Sequence, residues 1–90
     1  MHAIVVKVEL PEGGSIEQGR QMLNEQVIPR VKQLPGFRGG YWLAPPDGRD
    51  GLSFILFEDE QSARSAVESI QPPPPVKLVS TEVREVAASA

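Results

Sequence analysis

The sequence predicts an α+β protein in which two helices lie across one face of an antiparallel sheet. Three observations carry this prediction. Apolar residues alternate through 2–10 and again through 52–58, in segments rich in β-branched and aromatic side chains. Between them an apolar series at helical spacing follows a capping-box signature. Clusters of Pro, Gly and Asp separate these segments where the chain must turn.

The first strand is "HAIVVKVEL", ended by Pro11 and turned by Gly13 and Gly14. Its alternation places His2, Ile4, Val6, Val8 and Leu10 on one face, the expected core face, and Ala3, Val5, Lys7 and Glu9 on the other. "SIEQ" then gives Ser15 as N-cap with Gln18 three residues later. Ile16, Leu23, Val27, Val31 and Leu34 follow on one stripe, so a helix is expected over about 15–34. Pro29 lies inside it and lacks the N–H that the helix needs, which predicts a kink between Glu25 and Pro29. Pro35-Gly36 stops the helix.

"FRGGYWLA" (37–44) reads as the second strand, with Gly39 and Gly40 marking a bulge or a close backbone approach. "PPDGRDG" is a turn, and "LSFILFE" (52–58) the third strand. A second helix begins at Glu58 or Asp59 and carries Ala63, Ala66, Val67 and Ile70 on one stripe. "PPPP" (72–75) is a stiff connector, "VKLVSTEVREVA" the fourth strand, and 88–90 a frayed tail. The order is βαββαβ, a ferredoxin-like arrangement filling one domain over 1–90, with expected strand order 4-1-3-2.

Composition narrows the function classes. The chain of 90 residues has a net charge of −3, which disfavours phosphate binding through clustered cations. It has no cysteine and only one histidine, His2, so no metal site is expected, and His2 reads as a terminal residue or a modest polar contact. The start of the chain lacks a basic n-region, and no run approaches the roughly 20 apolar residues of a membrane span, so a cytoplasmic protein is expected.

"DGLSFILF" comes close to the octapeptide of RNA-recognition motifs, which share this order of elements. An RNA reader needs a cation at the first place and rings at the third and fifth, because bases stack on rings. This chain supplies Asp50, Leu52 and Phe54, with Val5 as the outward residue of the first strand. No nucleic-acid partner is expected.

By alternation, Ser53, Ile55 and Phe57 face the helices, while Leu52, Phe54 and Leu56 join Val5 and Trp42 on the open face. Soluble monomers rarely expose an apolar patch of more than a few hundred Å². A second copy packed face to face across a two-fold axis covers it, so Val5, Leu52, Phe54 and Leu56 are the expected dimer interface.

The stretch "LPGFRGGYWLAPPDGRDGLSFILFEDEQSARSA" resembles the dimeric α+β barrel proteins, in particular the antibiotic-biosynthesis-monooxygenase-like group. Pro35, Gly36 and Phe37 close the first helix, Tyr41 and Trp42 lie on the second strand, Phe57 and Glu58 end the third, and Ala63 and Ala66 follow. The resemblance implies a homodimeric barrel with room for a small apolar or aromatic ligand. It also implies an alternative, cofactor-independent oxygenation of a phenolic or quinol-like substrate, for which no cofactor is needed. Some members degrade haem with an asparagine on the first strand and a later tryptophan and histidine. Here Asn24 lies on the helix and no late histidine exists, so haem chemistry is not expected.

The expected barrel-lining residues are Trp42, Arg38, Phe54, Leu52 and Val5. Trp42 suits an aromatic ligand, and Arg38, on the same face by alternation, suits an anionic oxygen or a salt bridge at the rim. Lys7 and Glu9 are expected to pair with Glu82 or Arg84. Tyr41 faces the helices if Trp42 faces the barrel, a phase that an irregularity at Gly39-Gly40 would reverse.

Overall fold

The computed structural model describes residues 1–46 and 48–90. Its elements are β1 (His2–Glu9), α1 (Ile16–Met22), a π-helical turn (Leu23–Val27), α2 (Ile28–Val31), β2 (Phe37–Leu43), β3 (Asp50–Phe57), α3 (Glu60–Val67) and β4 (Lys77–Glu85). The four strands form one antiparallel sheet in the order β2-β3-β1-β4, as the sequence predicts. Asp47, assigned above to the turn before β3, lies outside the described residues.

The core lies between the sheet and the helices. Ile4 and Val6 of β1, Ile55 and Phe57 of β3, Ala63 and Ala66 of α3, Val31 and Ile70 are all buried in one cluster. Phe37 meets Phe57 edge to face, with ring centroids 6.2 Å apart. The register Ile4↔Ile55 and Val6↔Ser53 puts these residues on one face, the core face that alternation predicts.

α1 opens on the predicted box: Gln18 N–H donates to Ser15 Oγ at 3.1 Å and Ser15 N–H to Gln18 Oε1 at 3.2 Å. The predicted kink takes the form of a π-helical turn before Pro29. Its widened bonding carries the Ile28 N–H back to the Leu23 carbonyl, a five-residue step, and absorbs the place where the proline cannot donate. Asp59 caps α3, its carboxylate accepting from Ser62 N–H at 2.7 Å. That bond holds the Asp59 pKa below its usual value, so the cap is in place above the carboxylate range and loosens as pH falls through the lowered pKa.

Two expectations are corrected. The first helix is three short segments ending at Val31, with Leu34 beyond it. His2 pairs within β1 as a strand residue, and its Nδ1 is buried without a hydrogen-bond partner among the described residues. No helix among the described residues is long and apolar enough to cross a membrane.

Gly36 joins the helical segment to β2 at φ 79° and accepts the Glu58 N–H at 2.8 Å. A Cβ there would lie 2.5 Å from Ser62 Oγ and 2.7 Å from Ser62 Cβ, whereas at Gly13 (φ 80°) it would meet nothing within 4 Å. Both positions cost an L-residue roughly 1–2 kcal/mol of backbone strain. Gly36→Ala is therefore expected to lower urea-unfolding stability clearly more than Gly13→Ala, and equal losses would contradict this approach of α3.

Candidate functional site

A cavity of about 820 Å³ lies between the helix-covered face of the sheet and the segment 16–31. Small-molecule sites typically measure roughly 300–1,000 Å³. Val6 and Val8 of β1, Ser53 and Ile55 of β3, and Trp42 of β2 form its floor. Leu23 and Val27 of the π-helical turn, with Val31 and Leu34, form its roof. Ile70, Pro72, Pro73 and Val76 also border it.

Glycines shape this floor. A Cβ on Gly40 would lie 2.9 Å from Cη2 and Cζ3 of Trp42, so the indole leans across a strand position that has no side chain. A Cβ on Gly51 would lie 2.7 Å from Val8 Cγ2.

Trp42 reaches the cavity because β2 carries a bulge. Phe37 pairs with Phe57, but Gly39 pairs with Leu56, so Arg38 is an extra residue on β2. From there on the phase is reversed: Tyr41 pairs with Phe54 on the open face, and Trp42 pairs with Ser53 on the helix side. The expectation that Trp42 lies on the open face is thereby corrected, as is the orientation of Tyr41, which is 65% exposed. Of the two roles expected for Arg38 the structure shows the salt bridge: it is turned out to Glu58, 2.9 Å away between exposed side chains, and it does not border the cavity.

Of the five residues expected to hold a ligand, Trp42 and Leu52 border the cavity, while Arg38, Phe54 and Val5 do not. The roomy space is on the helix side of the sheet, not over the open face. Val5, Leu52, Phe54 and Leu56 are half-buried on the open-face positions, joined there by Tyr41 and by Leu43. Glu9 pairs with Arg49 at 3.5 Å, and Glu82 with Arg84 at 2.8 Å, in place of the expected links from β1 to β4.

Sequence reasoning missed Ser53 as a site residue. It is 7% exposed, the buried polar side chain among the described residues, and borders the cavity. A serine between Gly51 and Ile55 on an otherwise apolar inward face was the available signal. The described lining contains no Asp, Glu, His, Cys or Tyr, so it offers no imidazole, thiolate or phenolate to a haem iron. No group of three or more His, Cys, Asp or Glu among the described residues is placed to hold a metal ion.

No family model and no curated protein matches the sequence. Solved structures do. A haem-degrader, MhuD from Mycobacterium tuberculosis with two haems in its active site, is similar over 100% of this chain and 99% of its own, at 16% identity and a TM-score of 0.67. A mutant of MhuD with two manganese protoporphyrin IX per active site gives 17% identity, 100% and 98% coverage and 0.67. The monooxygenase ActVA-Orf6 of Streptomyces coelicolor, in complex with nanaomycin D, gives 18% identity, 99% and 91% coverage and 0.60. At these identities the likeness shows the fold: this chain has the α+β fold of the antibiotic-biosynthesis-monooxygenase-like proteins.

Replacing Gly40 with Ala must lift the indole off the floor. Overpacking of this kind costs about 1–3 kcal/mol. Gly40→Ala is expected to change the near-ultraviolet circular dichroism of Trp42, the sole tryptophan, and to raise its quenching by acrylamide. An unchanged Trp42 signal would contradict the packing of the ring on Gly40.

Proposed function

We propose that this protein is a homodimer, paired through the open faces of its sheets, and that each subunit holds a small apolar or aromatic ligand between its sheet and its helical segment. The observation that carries the ligand is the cavity itself: about 820 Å³, walled mainly by aliphatic side chains, with one ring, Trp42, and one hydroxyl-bearing residue, Ser53, on its floor. A ligand there covers the apolar surface of Trp42 and Val27, and Ser53 can meet a polar atom where the ligand carries one. The fold neighbours that hold haem and nanaomycin D support the reading, because their folds too accommodate ring-bearing molecules.

Ligand binding stands ahead of cofactor-independent oxygenation. That reaction needs a group to take the substrate's proton. Among the described residues the lining supplies no carboxylate, imidazole or phenol for it.

The dimer rests on the open face, where Tyr41 is 65% and Leu43 47% exposed beside Val5, Leu52, Phe54 and Leu56. Fully burying each Phe or Leu side chain stabilises by roughly 1.5–3 kcal/mol, and a two-fold axis counts each twice.

The neutral dye N-phenyl-1-naphthylamine is expected to brighten on binding and to quench Trp42. Filling the roof with the double substitution Leu23→Phe and Val27→Phe should abolish both effects, and an unchanged isotherm would remove the cavity as the site. For the dimer, Phe54→Asp places two like charges in the proposed interface at several kcal/mol each. It should give monomer or aggregate in size exclusion with light scattering, where the wild-type protein runs as a dimer. A well-folded Phe54→Asp dimer would rule out the open face as the interface.

A further inference from the structure

The charge around the cavity is opposite to the charge of the chain. The protein has 12 acidic against 9 basic residues. Yet the described residues bordering the cavity include no carboxylate and two guanidiniums, Arg20 and Arg30. Arg20 is held by Glu17 at 3.3 Å, one turn away on α1. Arg30, in α2 immediately after Pro29, makes no ion pair or side-chain hydrogen bond among the described residues. An exposed, unneutralised guanidinium at the edge of an apolar cavity offers a planar set of donors to an anion, with little of the desolvation cost of a buried ion.

We infer that the ligand is a ring-bearing organic acid, whose apolar body lies over Trp42 and whose anionic group is held by Arg30. This rests on the ligand-binding reading and narrows its substrate class. Neutral apolar molecules fit the same walls, but they leave Arg30 without a partner. Dianions and polyanions are disfavoured, because the second guanidinium is already neutralised by Glu17 and the remaining lining offers only amides and hydroxyls, such as Gln33 and Gln71. Ser53 on the floor then meets whatever oxygen the buried end of the molecule carries.

The test uses two dyes of one skeleton. N-phenyl-1-naphthylamine is neutral, and 8-anilino-1-naphthalenesulfonate adds a single sulfonate. Energy transfer from Trp42 reports bound dye, and loss of the signal in the roof-filling Leu23→Phe and Val27→Phe variant separates dye in the cavity from dye on the open face. Wild-type protein is expected to bind the sulfonate more tightly, with the preference shrinking as salt rises, since exposed charge pairs are screened over about 10 Å at 0.1 M. Arg30→Gln should weaken the sulfonate by about fivefold, the strength of an exposed pair, and leave the neutral dye unchanged. Retained neutral-dye binding shows that the variant is folded. Arg20→Gln should have a smaller effect, because Glu17 already occupies its guanidinium. If both dyes bind and Arg30→Gln leaves their ratio unchanged, the organic-acid inference is overturned while the cavity reading survives. If neither dye takes energy from Trp42, the cavity reading falls and this inference with it.

Discussion

Covering one face of a four-stranded sheet with two unequal helical segments is the constraint on which the rest of this structure depends. α3 turns two alanines, Ala63 and Ala66, toward the sheet, and both are buried over β1 and β3. Small side chains let a helix come close, and the space beneath is filled by Phe57 and Ile4, which are fully buried. The segment 16–31 cannot settle in the same way. None of the residues of α1 or of its π-helical turn is buried, and only Val31 of α2 is. The sheet is therefore packed at one end and roofed at a distance at the other, and the distance is the cavity.

Pro29 is part of the same constraint. A straight helix with this apolar stripe would lay Ile16, Leu23, Val27, Val31 and Leu34 down in one row. The proline forbids one bond of that helix, and the chain responds with a π-helical turn whose Leu23 and Val27 form the cavity roof. Such turns often accompany functional sites, because they displace side chains from regular spacing without ending the helix. Arg30, one residue beyond the proline, is placed by this change of course at the edge of the cavity.

Most of the fold was legible in the sequence because it rests on period-two alternation and local capping. The core face of β1 and β3, the Ser15 box and the Asp59 region follow from nearest-neighbour rules, and the strand order follows from the βαββαβ order of elements. The orientation of β2 was not legible, since it depends on where one extra residue sits. Without the bulge, Phe37 opposite Phe57 would put Trp42 opposite Leu52 on the open face. With Arg38 extra, Trp42 meets Ser53 instead. A slip of one residue exchanges every side chain between the two faces. The glycines announced an irregularity at 39–40, but sequence alone does not choose between a bulge before them and none. The cavity was illegible for a different reason: an unfilled volume is a property of how far the roof stands off, and no single segment encodes that distance.

The bulge divides the work of the two neighbouring rings on β2. Tyr41 goes to the open face, where its ring extends the apolar surface of Val5 and Phe54 while its hydroxyl can stay in water, a suitable residue for the rim of a protein interface. Trp42 goes to the cavity, where the edge of its ring comes close to the bare backbone of Gly40. Gly40 therefore has two consequences at one position: it weakens the strand, and it leaves room for the Trp42 ring. A larger residue would gain strand propensity and lose the volume beneath the roof. The same trade appears at Gly51 under Val8. At both positions the missing side chain makes room for a neighbouring cavity residue, Trp42 at Gly40 and Val8 at Gly51. The open side carries Leu52, Phe54 and Leu56 in unbroken alternation. One sheet thus presents a hollow face and a flat one, and the single extra residue at Arg38 decides which ring serves each.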